Sequence, residues 1–171
     1  MKRTVLSILM ALFAVTQLMS TDMKINVIIG GATFSATIDD TETGRAFHAL
    51  LPLTINMNEL NGNEKYYYLD TSLPTASYRP GTIYAGDIML YGSSCVVLFY
   101  ETFSSGYSYT RIGAVDNPDR LAQVLGGGNV TVRFEAVEQS GPRGDVNLDN
   151  SVNISDVTAL IDYLLSGNWH R

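Results

Sequence analysis

The sequence predicts a mainly β protein: a small closed antiparallel barrel with two short helices, followed by a C-terminal loop and helix of a different character. Three observations point there. About eight short β-rich runs succeed one another in roughly 113 residues, separated by turn signals such as Gly30-Gly31, Asn61-Gly62 and Gly92-Ser93-Ser94. That spacing suits a closed antiparallel sheet better than βαβ units, which need a crossover of a dozen or more residues. After Gly144 the pattern changes from strand alternation to an acidic, oxygen-rich turn and then a helical stripe.

The elements follow in order. Lys24–Ile29 and Thr33–Ile38 flank the first glycine pair and predict a hairpin. Asp39, Asp40 and Thr41 offer capping oxygens to a helix over 43–51, with Ala46, Phe47, Leu50 and Leu51 on one face and Pro52 as its stop. His48 is expected to be exposed. Leu53, Ile55 and Met57 alternate with polar residues, and Asn61-Gly62 turns the chain into Glu64–Leu69. Residues 70–83, with Pro74, Pro80 and Gly81, are expected to be irregular. Asp87–Tyr91 and Cys95–Tyr100 form a second hairpin, and Tyr109–Val115 is a further strand. Asn117-Pro118-Asp119 starts a short helix to about Leu125. Asn129–Glu135 is the last strand, and 137–143 is a polar linker.

Composition narrows the function. With 171 residues, 46% of them hydrophobic, the chain can bury a core. A net charge of −6 argues against nucleic acid, which needs a basic face. One cysteine and two histidines exclude a disulfide framework, a Cys-based zinc site and a multi-histidine metal centre. Cys95 lies in an apolar run and is read as a small buried hydrophobe. Lys2 and Arg3 precede the uncharged stretch 4–19, so residues 1–20 are expected to be a cleaved signal peptide. An uncleaved anchor is the alternative, and its length is marginal. The mature chain is then secreted or periplasmic, with no stable membrane anchor.

The stretches MKINVIIGGATFSATIDD (23–40), AFHALLPLTINMNELNGNEKYYYL (46–69), AGDIMLYGSSCVVLFYETF (85–103) and YSYTRIGAVD (107–116) together resemble the bacterial cyclophilin-like fold family. The resemblance covers residues 23–136. It implies a barrel like that of the prolyl isomerases, without implying their activity. The Phe-His-Arg stretch and downstream Gln-Gly-Gly of true cyclophilins have no counterpart here, so no catalytic residue is carried over. From the residues themselves, Arg111 with Phe103, Tyr107 and Tyr109 could supply a donor and an apolar pocket for a peptide or other ligand. The competing reading is an arginine stacked on rim tyrosines. Alternation puts Tyr66 and Tyr68 on one face and Tyr67 on the other. Such rings either bind a ligand at the barrel mouth or fill the core and rim.

In GDVNLDNSVNISD (144–156), Asp145, Asn147, Asp149, Ser151, Asn153 and Asp156 fall at positions 1, 3, 5, 7, 9 and 12 of an EF-hand calcium loop. Calcium takes six to eight oxygen ligands, and a loop folding back on itself aims alternate residues at one point. Ser151 would contribute its main-chain oxygen. Asn150 stands where the loop usually has glycine. Asn153 and Asp156 form a capping-box pair, and Val157, Leu160, Ile161, Leu164 and Leu165 make one apolar stripe ending at Gly167. No helix can precede the loop, so this is half an EF-hand, and GDVNLDNSVNISDVTALIDYLL resembles a single type I dockerin repeat. That resemblance implies calcium as cofactor and a cohesin-like or other protein partner, with Ile154 and Ser155 at the positions that help select it. A single repeat has no second copy within the chain to cover its stripe, so self-association is a further expectation.

The domain organisation expected is therefore 1–20 signal peptide, 23–136 barrel, 137–143 linker and 144–171 calcium-binding repeat. The leading functional expectation is a secreted, non-enzymatic protein attached through its C-terminal repeat. The alternatives are an exported peptidyl-prolyl isomerase and an accessory component of polysaccharide-degrading machinery.

Overall fold

The computed structural model describes residues 23–137, 144–149 and 151–167. The expected signal peptide, nearly all of the linker and the loop residue Asn150 lie outside the described residues. Eight antiparallel strands close into a barrel in the order β1 (Met23–Ile29), β10 (Val130–Ala136), β3 (Leu53–Leu60), β4 (Glu64–Tyr68), β7 (Cys95–Phe99), β6 (Asp87–Tyr91), β9 (Thr110–Val115) and β2 (Ala32–Ile38), with β2 returning to β1.

Turn chemistry sets these neighbours. Asn61 and Gly62 both adopt positive φ (57° and 72°) and, with Asn63, whose amide donates to the Leu60 carbonyl at 3.3 Å, make a three-residue hairpin loop. The turn joins β3 to β4 with Leu60 opposite Glu64. Strand alternation then fixes the inside. Ile25, Val27, Ile29, Ile55, Met57, Val132 and Phe134 point into one closed core. Helix α1 (Glu42–His48) inserts Phe47 against Phe134, edge to face with ring centroids 5.5 Å apart. Its cap is Thr41, which accepts from the Gly44 amide at 3.0 Å; Asp39 and Asp40 instead pair with Arg111 and Arg45. The helix is shorter than expected, and His48 is half-buried rather than exposed. Helix α2 (Leu121–Leu125) buries Leu121 and Leu125.

One segment departs from the expectation. Residues 70–83 are not wholly irregular: β5 (Gly81–Ile83) pairs with β8 (Phe103–Ser105) as a separate two-stranded ribbon. Ile83 and Phe103 pack with Met89, Cys95, Val97, Phe99 and Tyr109 into a second apolar cluster. Strand β7 is consequently buried on both faces, with Val96 and Leu98 in one cluster and Cys95, Val97 and Phe99 in the other.

Helix α3 (Ile154–Ser166) begins with the expected capping box between Asn153 and Asp156 and ends at Gly167 in the left-handed conformation. Asp156 is its one buried residue.

Candidate functional site

The second cluster opens onto a pocket of about 330 Å³, within the range of small-ligand sites. Strand β4 supplies one wall. Because side chains alternate, Glu64, Tyr66 and Tyr68 share the pocket face, and the rings of Tyr66 and Tyr68 meet edge to face at 5.9 Å. A continuous aromatic series, all of whose members but Phe99 line the pocket, runs through the rest of the site. Phe103 meets Phe99, Phe99 meets Tyr109, Tyr109 meets Tyr91 and Tyr91 meets Tyr107, with centroids 5.5–6.2 Å apart. Cys95 also lines the pocket, 4% exposed, and burial pushes its thiol pKa up.

Glu64 is the unusual member. It is 8% exposed, yet its carboxyl has no hydrogen bond or ion pair with any described residue. Burial, and then the charge of Glu59, raise its pKa above the ordinary 4.5. A carboxyl whose pKa rises on folding binds its proton more tightly when folded. Its contribution to stability is therefore greatest at low pH and falls as pH climbs from 4.5 through the raised value. Glu64→Gln should flatten that decline, which urea unfolding at a series of pH values would measure. An unchanged pH slope would show that Glu64 ionises normally.

Three of the four barrel residues singled out from sequence, Phe103, Tyr107 and Tyr109, line this pocket. Arg111 does not. Its Nε donates to Asp39 at 2.9 Å and its Nη1 to Asp87 at 2.8 Å, tying β9 to the end of β2 and to β6. Burial alone would lower the guanidinium pKa, but these two carboxylates hold it raised. Sequence reasoning passed over Glu64, although the alternation that paired Tyr66 with Tyr68 also places it beside them.

The C-terminal loop is organised by its own amides. The Asp149 amide donates to Oδ1 of both Asp145 (3.0 Å) and Asn147 (3.1 Å), and the Ser151 amide donates to Asp149 at 2.8 Å. Asp156 joins the two ends of the loop. Its Oδ1 accepts from the amides of Val146 (2.7 Å) and Asn147 (3.3 Å), and its Oδ2 from that of Asn153 (2.7 Å). Those bonds, led by the one from Asn153, hold its pKa below the ordinary carboxylate value. Among the described residues no three His, Cys, Asp or Glu side chains are gathered closely enough to form a metal-holding group. Asn153 Oδ1 accepts from the Ser155 amide at 2.8 Å, as a helix cap does. Beyond it Ile154, Val157, Leu160, Ile161, Leu164 and Leu165 are all exposed, from 41% at Leu160 to 82% at Leu165.

No curated protein matches the chain. Among solved structures, the barrel is similar to the solution structure of a hypothetical protein from Archaeoglobus fulgidus. The two are 17% identical with a TM-score of 0.53, over 68% of this chain and 95% of that one. At that identity the likeness speaks to the fold. Residues 27–135, from the middle of β1 to near the end of β10, match the Cyclophilin-like family. With that match across the closed barrel just described, the chain belongs to the cyclophilin-like family.

Proposed function

We propose that this is an exported, non-enzymatic binding protein, in which the barrel carries a ligand pocket and the C-terminal loop takes up calcium to fix α3 as an attachment helix. The observation that carries the reading is Asp156, whose two oxygens join the start of the loop to the start of the helix. The oxygen-bearing side chains at 145, 147, 149, 151, 153 and 156 are of the hard type calcium selects, and Asp145 and Asn147 already converge on one amide. Calcium, when bound, would neutralise the mutual repulsion of Asp145, Asp149 and Asp156. Millimolar extracellular calcium suffices for loops of modest affinity, which agrees with export.

The exposed stripe supports attachment. Apolar side chains of this size forgo about 1.5–3 kcal/mol each by staying in water, so a partner that covers Leu160, Leu164 and Leu165 gains substantially. The isomerase reading has less support, because Arg111 is held by Asp39 and Asp87 and does not line the pocket.

Calorimetric titration of the full chain with calcium chloride tests the proposal. The wild type should bind with a dissociation constant at or below about 1 mM, and Asp145→Ala should weaken binding at least about ten-fold, since a charged ligand is lost. Equal heats from the two proteins would overturn it.

A further inference from the structure

The pocket beside Glu64 has a composition that selects one class of ligand. Glu64 is the one acidic side chain in its lining, and among the described residues no Lys, Arg or His lines it. At the same edge, Oδ1 of the lining residue Asn63 is buried without a hydrogen-bond partner among the described residues. Around these acceptors stand Tyr66, Tyr68, Tyr91, Tyr107 and Tyr109, with Phe103 closing the series. Aromatic faces carry negative potential and attract cations within about 6 Å, most strongly where water is excluded. A carboxylate largely withdrawn from water and given no counter-ion is costly, and the cost is relieved when a cation enters.

We propose that this pocket binds an alkylated ammonium group, with Glu64 as its counter-ion and the tyrosine rings in place of its hydration shell. The inference deepens the reading of the barrel as a binding module and is independent of calcium. A compact organic cation fits both features at once. A sugar or neutral peptide would use the rings but leave Glu64 unpaired. An inorganic cation would use Glu64 but gain little from so many apolar carbon atoms.

The test is titration of the full chain with choline and with its uncharged isostere 3,3-dimethylbutan-1-ol, followed by tyrosine NMR signals in the presence of chelator. The chelator lets a failure here be told apart from a failure of the calcium loop. Choline should bind at least about ten-fold more tightly than the alcohol, as cation–π attraction and charge pairing together require. Glu64→Gln, which keeps the side-chain shape, should abolish that preference. Tyr107→Leu, at a ring 65% exposed on the rim and so of little weight in folding, should weaken choline more than the alcohol. Equal affinity for the two probes, no binding of choline at millimolar concentration, or an unchanged preference in folded Glu64→Gln would overturn the proposal.

Discussion

Replacing Lys65 by methionine should destabilise the barrel by about 3–5 kcal/mol, the cost of breaking a buried ion pair by removing one partner. Lys65 is wholly buried, yet its ammonium group has every proton engaged. It pairs with Glu59 and donates to the carbonyl oxygens of Gly126 and Gly128, each at 2.7 Å, while lying 5.2 Å from the centre of the Tyr100 ring. Glu59 in turn accepts from the Tyr100 hydroxyl and the Gly62 amide, each at 2.8 Å. Burial works to raise the Glu59 pKa, but Lys65 and these donors hold it below its ordinary value. Methionine fills similar space but strands two carbonyls and a carboxylate. The loss would appear as a lower midpoint in urea with an unchanged slope. A midpoint shift worth less than about 1 kcal/mol would mean that water replaces the ammonium group at no great cost.

Gly113→Ala should be nearly as damaging, at about 2–3 kcal/mol, through overpacking. A Cβ at Gly113 would lie 2.2 Å from the Thr37 carbonyl oxygen and 2.9 Å from Ile38 Cα, and both are backbone atoms. The position sits on the seam where β9 meets β2 over three residue pairs, and it also faces Ile88 of β6 next to a register shift. The chain cannot relieve the clash by turning a side chain; β2 must move away and weaken the closure of the barrel. Thermal unfolding would show the effect as a fall of about 4 °C for each kcal/mol, where the ranges for smaller and larger domains meet. Gly92→Ala is the matched comparison: it has open space around it, so only its positive φ of 61° is strained. If Gly113→Ala melts no lower than Gly92→Ala, contact with β2 is not what requires glycine.

Local rules were enough for most of the barrel. Hairpins announced by Gly30-Gly31, Asn61-Gly62 and Gly92-Ser93-Ser94 all form, because turn and strand preferences act within a few residues and agree with each other. The ribbon of β5 and β8 escaped because each strand is three residues long and its partner is some twenty residues away. No periodicity can be read over so short a run.

The site divides in the same way. That Tyr66 and Tyr68 share a face is alternation, visible in EKYYYL; that Glu64 shares it too is the same rule, applied one step earlier. Which residues complete the pocket is topology. Phe103, Tyr107 and Tyr109 reach the pocket while Arg111 turns to Asp39 and Asp87, a choice made by elements distant in sequence. Lys65 shows the limit most clearly. Glu59 stands opposite it across the hairpin, but the two carbonyls that complete its burial, of Gly126 and Gly128, lie some sixty residues along the chain. In the C-terminal repeat the capping box and the left-handed Gly167 follow directly from Asn153, Asp156 and glycine spacing, because helix ends obey short-range chemistry.

Strand β7 is covered on both faces and paired along both edges, with β4 and β6, so its amides are expected to meet solvent when the barrel itself opens. In deuterium labelling, the rim turns would lose protons early and Cys95–Phe99 last. The decay of that strand's signal would clock complete opening of the molecule rather than local fraying.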